Sequence, residues 1–109
     1  MAVKIWVDDV RPAPEGYDLW CKSVWDTIIA IKNYISMYRV SGGKDYYKIE
    51  LLDLDHDAGD FTKAGGDYVE ILDWLEYKEI SLPIRIHSMN PVGAFNMRQL
   101  LTHYGYQEI

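Results

Sequence analysis

Cysteine, basic charge and long apolar runs are all scarce in this chain. Cys21 is the only cysteine among 109 residues, so an internal disulfide cannot form and a cysteine-based zinc site has too few ligands. Lys and Arg number 11 against 17 Asp and Glu, which argues against a DNA-binding surface because such surfaces neutralise phosphates with a basic stripe. No stretch approaches the roughly 20 apolar residues of a membrane span. We therefore expect a soluble, cytoplasmic protein that binds neither DNA nor membranes.

The composition is otherwise that of a folded protein. Apolar residues make up 49% of the chain and aromatic residues 14%, which favours a compact core over disorder. The length corresponds to one domain, so we expect residues 1–109 to form a single domain. Nothing in the sequence indicates the oligomeric state.

Short apolar runs predict the strands. Val3–Val7, Ile49–Leu54 and Ile84–Ile86 are such runs, and the middle one has the length and Leu/Ile content of a central strand covered by helices on both faces. Tyr17–Cys21 is a candidate short strand with Leu19 and Cys21 on one side and Trp20 on the other. Residues 106–109 are a candidate last edge strand.

Helical periodicity fills the intervals between these strands. One helix is expected from an N-cap at Ser23 to about Arg39, a second from Tyr68 to about Lys78, and a third from an Asn90 N-cap to a stop at Gly105. Arg11–Gly16 holds two prolines and a glycine, so it is predicted to be a loop. This alternation predicts a small, doubly wound α/β sandwich with a mostly parallel sheet.

Acids and imidazoles follow three of the predicted strands. The first strand runs into Asp8 and Asp9, and the third runs into His87 and Ser88. The central strand runs into acidic residues on either side of an imidazole, namely Asp55, His56 and Asp57. Ligands of open α/β sheets bind beyond the carboxyl ends of the strands, so we expect these side chains to converge on one edge.

The carboxylates of this set are candidate metal ligands. Mg²⁺ and Mn²⁺ prefer oxygen ligands, and clustered carboxylates recruit a cation to offset their repulsion. We therefore predict a Mg²⁺ or Mn²⁺ site at Asp8, Asp9, Asp55 and Asp57. The alternative is a set of solvated strand ends with Asx turns and caps. Asp53, inside the central strand, is either a polar interruption or a further ligand.

The segment after the third strand is a candidate phosphate site. An imidazole followed by a helix N-terminus suits an oxyanion, and a glycine lets a ligand approach the backbone. Ser88, Asn90 and Gly93 are the predicted phosphate-binding residues, together with Arg11 after the first strand. The alternative is a hydrogen-bonded His87 next to an ordinary Asn cap.

Three motifs together resemble the cyclic-phosphate processing receiver domain family. They are Trp6–Pro12, Leu54–Asp57 and Ile86–Gly93, with Asn96 and Met97 following the last. The resemblance implies a receiver-like, flavodoxin-like fold whose first helix is reduced to the Arg11–Gly16 loop. It also implies processing of cyclic phosphate ends in RNA repair or related nucleotide metabolism, with the strand-end acids and imidazoles as the site. The lysine of ordinary phospho-receivers has no counterpart, since no lysine follows Lys78.

The function predicted from these residues is that of a phosphoesterase, a hydrolase acting on a cyclic phosphate of a nucleotide or RNA terminus. His56 and His87 are the predicted general base and general acid, since an imidazole changes charge near neutral pH. A version in which the two imidazoles act without metal also fits. The alternatives are a non-catalytic module that binds a cyclic nucleotide or a protein, and a degenerate phospho-receiver with Asp53 or Asp55 as acceptor.

Overall fold

A computed structural model describes residues 2–109; Met1, the first residue of the expected domain, lies outside the described part. The strands are β1 (Val3–Val7), β2 (Leu19–Cys21), β3 (Ile49–Leu54) and β4 (Ile84–Ile86), and the helices are α1 (Val24–Val40), α2 (Val69–Tyr77) and α3 (Pro91–Tyr104). Two 3₁₀ helices, Asp45–Tyr47 and Gly59–Ala64, precede and follow β3.

The four strands form one parallel sheet in the order β2-β1-β3-β4. Helices α1 and α2 lie in connections between strands and α3 follows β4, and this arrangement confirms the predicted α/β, receiver-like fold. The strand expected at residues 106–109 amounts to one isolated bridge between Glu108 and Ile84. Candidate strand β2 is also shorter than predicted, since it begins at Leu19 rather than Tyr17.

The helix ends follow their capping residues. The Ser23 side chain accepts a hydrogen bond from the Asp26 N–H at the start of α1. Asn90 caps α3 in the same way, with Pro91 at the first helical position. Gly105 ends α3 with a φ of 82°, a left-handed conformation that glycine adopts without strain.

The hydrophobic core lies on one face of the sheet, and all three helices pack there. In the register of the sheet, Ile5 pairs with Leu52, and Leu52 pairs with Ile84, so these side chains share a face. They belong to one buried cluster with residues of α1, α2 and α3, including Ile31, Ile71, Leu72, Leu75, Met97 and Leu101. The helices are therefore fixed by a continuous apolar layer.

The opposite face of the sheet carries the loop that was predicted in place of a first helix. Helices therefore cover one face of the central strand, and the expectation of helices on both faces is wrong because the β1–β2 connection contains no helix. Trp6 and Asp53 are paired in register on this face and are both buried. The Trp6 indole N–H donates to the Arg11 carbonyl at 2.8 Å, and the Trp20 indole N–H donates to the Asp8 carbonyl at 2.8 Å. Tyr17, at the end of the loop, packs edge-on against Trp6. Two indoles thus fix the chain where it leaves β1.

Within residues 2–109, no helix combines the length and the apolar character needed to cross a bilayer.

Candidate active site at the carboxyl edge of the sheet

Three carboxylates meet where β1 and β3 end. Asp8, Asp9 and Asp55 each offer an oxygen, and these oxygens lie within 4.8 Å of one another. The Asp55 N–H donates to the Val7 carbonyl at 2.9 Å, which holds Asp55 beside the end of β1. We call these three residues the acidic cluster. Asp57, the fourth predicted ligand, is not a member of it.

Asp8 is buried and accepts hydrogen bonds at both oxygens. The Val10 and Arg11 N–H groups donate to Oδ1 at 2.9 and 2.8 Å, and Arg11 Nε and His87 Nε2 lie 3.1 and 3.0 Å from Oδ2. Burial by itself raises the pKa of Asp8, but these hydrogen bonds outweigh it and leave the pKa below its ordinary value. A carboxylate offers about four lone-pair sites, so the protein fills those of Asp8. Asp9 and Asp55 retain more capacity for a cation.

Asp9 is electrostatically unfavourable as an anion. Burial raises its pKa, and the negative charges of Asp8, Asp55 and Asp57 raise it further. Its Oδ2 lies against Gly59, where an added Cβ would come within 2.2 Å of that oxygen, and Gly59 has a φ of +54°. A side chain at position 59 would therefore displace the Asp9 carboxylate.

His56 lies between the acidic cluster and the start of α3. Its backbone N–H donates to Asp55 Oδ1 at 2.8 Å, and its ring Nδ1 lies 2.7 Å from Asp57 Oδ1. The ring packs on Gly93, where an added Cβ would be 2.5 Å from His56 Cγ. Gly93 was predicted to admit a ligand, and the group that approaches it in the structure is this imidazole.

His87 is held between two buried carboxylates on the opposite face of the sheet from the helices. Nε2 lies 3.0 Å from Asp8 Oδ2 and Nδ1 lies 2.7 Å from Asp53 Oδ1. The ring is stacked on Trp6, with centroids 3.6 Å apart and planes 7° from parallel, and its side chain is only 12% exposed. His56 and His87 thus have different carboxylate partners and different aromatic or backbone neighbours. Their predicted joint action on one phosphate stays a prediction.

The predicted phosphate-binding residues are near the same edge, and each also has a partner within the protein. Ser88 Oγ accepts from the Asn90 N–H at 3.1 Å, and Asn90 Oδ1 accepts from the Gly93 N–H at 3.0 Å. The Arg11 guanidinium donates from Nη2 to the His87 carbonyl at 2.8 Å while its side chain remains 43% exposed. These contacts explain local structure; their role toward a phosphate stays a prediction.

Sequence reasoning missed Tyr17, Trp6 and Gly59 as parts of this edge and left Asp53 open. The Tyr17 hydroxyl donates a hydrogen bond to Asp53 Oδ2, and burial followed by this bond raises the pKa of Tyr17. The one signal in the sequence was Asp53 itself, because a carboxylate inside an apolar strand needs polar partners.

Comparison with known families agrees with the three motifs. The family model of the cyclic-phosphate processing receiver domain matches residues 3–103. Searches among curated proteins and among solved structures gave no match. Since the matched segment covers almost the whole chain, the protein belongs to the cyclic-phosphate processing receiver domain family.

Proposed function

We propose that the protein is a phosphoesterase that opens a cyclic phosphate of a nucleotide or RNA terminus, in RNA repair or related nucleotide metabolism. One observation carries the proposal: His56, whose ring is paired with the Asp57 carboxylate, directly follows Asp55 of the acidic cluster. The His56 N–H donates to Asp55, and its ring contacts Asp57. Asp55, a proposed metal ligand, and His56, the proposed acid–base group, are therefore adjacent in the chain.

The donor set of the acidic cluster fits a hard divalent cation. Its ligands are carboxylate oxygens, which suit Mg²⁺ and Mn²⁺. Asp9 and Asp55 would hold the ion, with Asp8 beside them, and a bound ion would neutralise phosphoryl oxygens and activate water. The unfavourable charge of Asp9 supports this assignment, because a cation offsets the repulsion that raises its pKa.

His56 is the group we assign to proton transfer. Asp57 accepts from Nδ1–H in the neutral tautomer, which leaves the lone pair of Nε2 available. In the hydrolysis, one P–O ester bond of the ring breaks and a water hydroxyl is added to phosphorus. His56 takes the proton of that water and returns a proton to the leaving oxygen, so the product is a phosphate monoester. We assign no proton transfer to His87, because both of its ring nitrogens contact carboxylates of the protein.

Positive centres at this edge suit a phosphate despite the formal net charge of −6. In the first turn of α3, Pro91 has no N–H, the Gly93 N–H donates to Asn90 Oδ1 and the Ala94 N–H donates to the Asn90 carbonyl, which leaves the Val92 N–H as a donor for a ligand. Arg11 adds a partly exposed guanidinium. We assign a non-bridging phosphate oxygen to these donors.

The test is turnover of 2′,3′-cyclic nucleotides with Mn²⁺ or Mg²⁺ and with EDTA. We expect metal-dependent formation of a monoester, and we expect His56→Gln to lower kcat by roughly 100-fold or more, the usual contribution of a positioned acid–base group. His103→Gln, an exposed histidine of α3, is the matched control and should leave turnover unchanged. Absence of turnover by the wild type, or an active His56→Gln protein, would refute the enzyme proposal.

Two alternative functions, a binding module and a degenerate phospho-receiver, predict different results with the same purified protein. A binding module would retain the cyclic nucleotide in calorimetry and release it intact. A degenerate phospho-receiver would be labelled by acetyl phosphate at Asp55, which lies in the acidic cluster as a receiver acceptor does. Asp53 is a poor acceptor, because its carboxylate is buried and both oxygens already accept hydrogen bonds.

A further inference from the structure

We infer that His87 is a positioning residue, not a proton-transfer group, and that Asp53 and Tyr17 act on Asp8 through it. The inference concerns the protein's own contacts; only its effect on cation binding rests on the proposed function. The unit consists of Tyr17, Asp53, His87 and Asp8, with Trp6 beneath the imidazole, and we call it the His87 unit.

The His87 unit joins the ends of three strands. Asp8 follows β1, Asp53 lies in β3 and His87 follows β4. The imidazole contacts both carboxylates of the unit, at 3.0 Å from Asp8 and 2.7 Å from Asp53. A displacement of Asp53 is therefore transmitted to Asp8 by the ring.

The ring has no free nitrogen with which to serve a substrate. Nε2 lies 3.0 Å from Asp8 Oδ2 and Nδ1 lies 2.7 Å from Asp53 Oδ1, so both ring nitrogens are directed at carboxylates of the protein. Stacking on Trp6 also covers one face of the ring. His56 differs in that only its Nδ1 has a carboxylate partner among the described residues.

Asp53 is the fixed end of the unit. Its side chain is 2% exposed, and a buried carboxylate is tolerated only with close partners. The Tyr17 hydroxyl donates to Oδ2, His87 contacts Oδ1, and Arg85 Nη1 lies 3.9 Å from Oδ2. Because this face of the sheet is covered by a loop and not by a helix, a polar group at its centre has room for these partners.

The His87 unit supplies one of the four contacts that orient the Asp8 carboxylate. His87 and the Arg11 side chain hold Oδ2, and the Val10 and Arg11 N–H groups hold Oδ1. The next residue is Asp9, whose carboxylate belongs to the acidic cluster. Outer partners of metal ligands commonly contribute a factor of about 10 to 100 in metal affinity. Loss of the unit should therefore weaken cation binding without removing a ligand of the cation.

The variants are His87→Gln, Asp53→Asn and the double substitution. Asp73→Asn is the matched control, because Asp73 accepts a hydrogen bond from the Tyr104 hydroxyl at 2.7 Å away from the strand ends. The first readout is the ¹⁵N NMR signal of the Val10 and Arg11 N–H groups that donate to Asp8. The second is the Kd for Mn²⁺ measured by electron paramagnetic resonance without substrate.

We expect both single variants to shift the two N–H signals and to weaken Mn²⁺ binding by roughly 10-fold or more. The double variant should bind Mn²⁺ no more weakly than the single variant with the lower affinity, because both changes interrupt one chain of contacts. Saturating Mn²⁺ should restore turnover to His87→Gln but not to His56→Gln. If a variant fails to fold, Tyr17→Phe, which removes one hydrogen bond to Asp53, should give the same shifts with smaller amplitude.

The inference is overturned if Asp53→Asn leaves the Val10 and Arg11 N–H signals unchanged. It is also overturned if the fold-changes of the two single substitutions in the Kd for Mn²⁺ multiply in the double variant. It is also overturned if His87→Gln stays inactive at saturating Mn²⁺ with normal Mn²⁺ affinity, the behaviour of a proton-transfer group. A wild-type protein that does not bind Mn²⁺ would refute the proposed cation site, and the N–H signals would then decide the positioning role alone.

Discussion

Substitution of Gly93 by alanine tests the contact between His56 and α3. The added Cβ would lie 2.5 Å from Cγ, 2.7 Å from Nδ1 and 2.8 Å from Cδ2 of His56. Ordinary carbon contacts are about 3.5–4.0 Å, so the ring must move by roughly 1 Å or rotate away from the helix. Movement of the ring breaks its contact with Asp57, which is 2.7 Å long in the wild type.

Two effects on stability oppose each other in Gly93→Ala. Alanine is favoured over glycine inside a helix by about 1 kcal/mol. Crowding of a packed site costs roughly 1–3 kcal/mol, and the lost hydrogen bond adds about 1 kcal/mol. Because the His56 side chain is 20% exposed, it can turn partly into solvent, which places the crowding cost at the low end. We expect a net loss of about 1 kcal/mol, or a Tm lower by about 4 °C.

The assay combines urea unfolding, the NMR signals of the His56 ring, and turnover of a 2′,3′-cyclic nucleotide. We expect a small stability loss, a large change in the ring signals and a severe loss of turnover. Gly42→Ala is the control: its φ of +79° strains alanine, but no atom lies within 4 Å of the added Cβ. It should lose similar stability and keep full activity. A Gly93→Ala protein that is more stable and has unchanged ring signals would show that helix propensity alone acts there.

Three further predictions concern the core, a helix cap and the charge of the acidic cluster. Leu72→Ala, in the fully buried face of α2, should lower the free energy of unfolding by about 3 kcal/mol in urea titrations; a loss under about 1 kcal/mol would show that the site collapses around the change. Ser23→Ala removes the cap of α1 and should cost about 1 kcal/mol, whereas Ser23→Gly should cost only a few tenths; equal costs would contradict the capping role. Asp9→Asn should stabilise the metal-free protein at pH 7, because the pKa of Asp9 is raised in the folded state and its ionised form therefore opposes folding. That gain should disappear as the pH falls below the pKa of Asp9, where the wild-type residue is protonated, and a pH-independent gain would refute the electrostatic cause.

The fold was largely predictable because its signals are local. Ser23, Asn90 and Gly105 mark helix ends through contacts within a few residues, and the apolar runs mark β1, β3 and β4. Parallel strands then bring their carboxyl ends to one edge, which is why Asp8, Asp9 and Asp55 could be grouped from sequence alone. The edge strand expected at residues 106–109 was reduced to one bridge because its pairing depends on distant residues of β4.

The sequence by itself determined the order of strands and helices, the loop in place of a first helix, and the edge at which the polar residues gather. Only the tertiary structure decided how the two imidazoles differ. His87 meets Asp8 and Asp53 across 79 and 34 residues of chain, and His56 meets Gly93 on another element. Spacing along a chain fixes which way a residue faces within its own helix or strand. The partner it meets depends on how separate elements pack. Here that packing buries most of His87 and gives Nε2 of His56 no partner among residues 2–109.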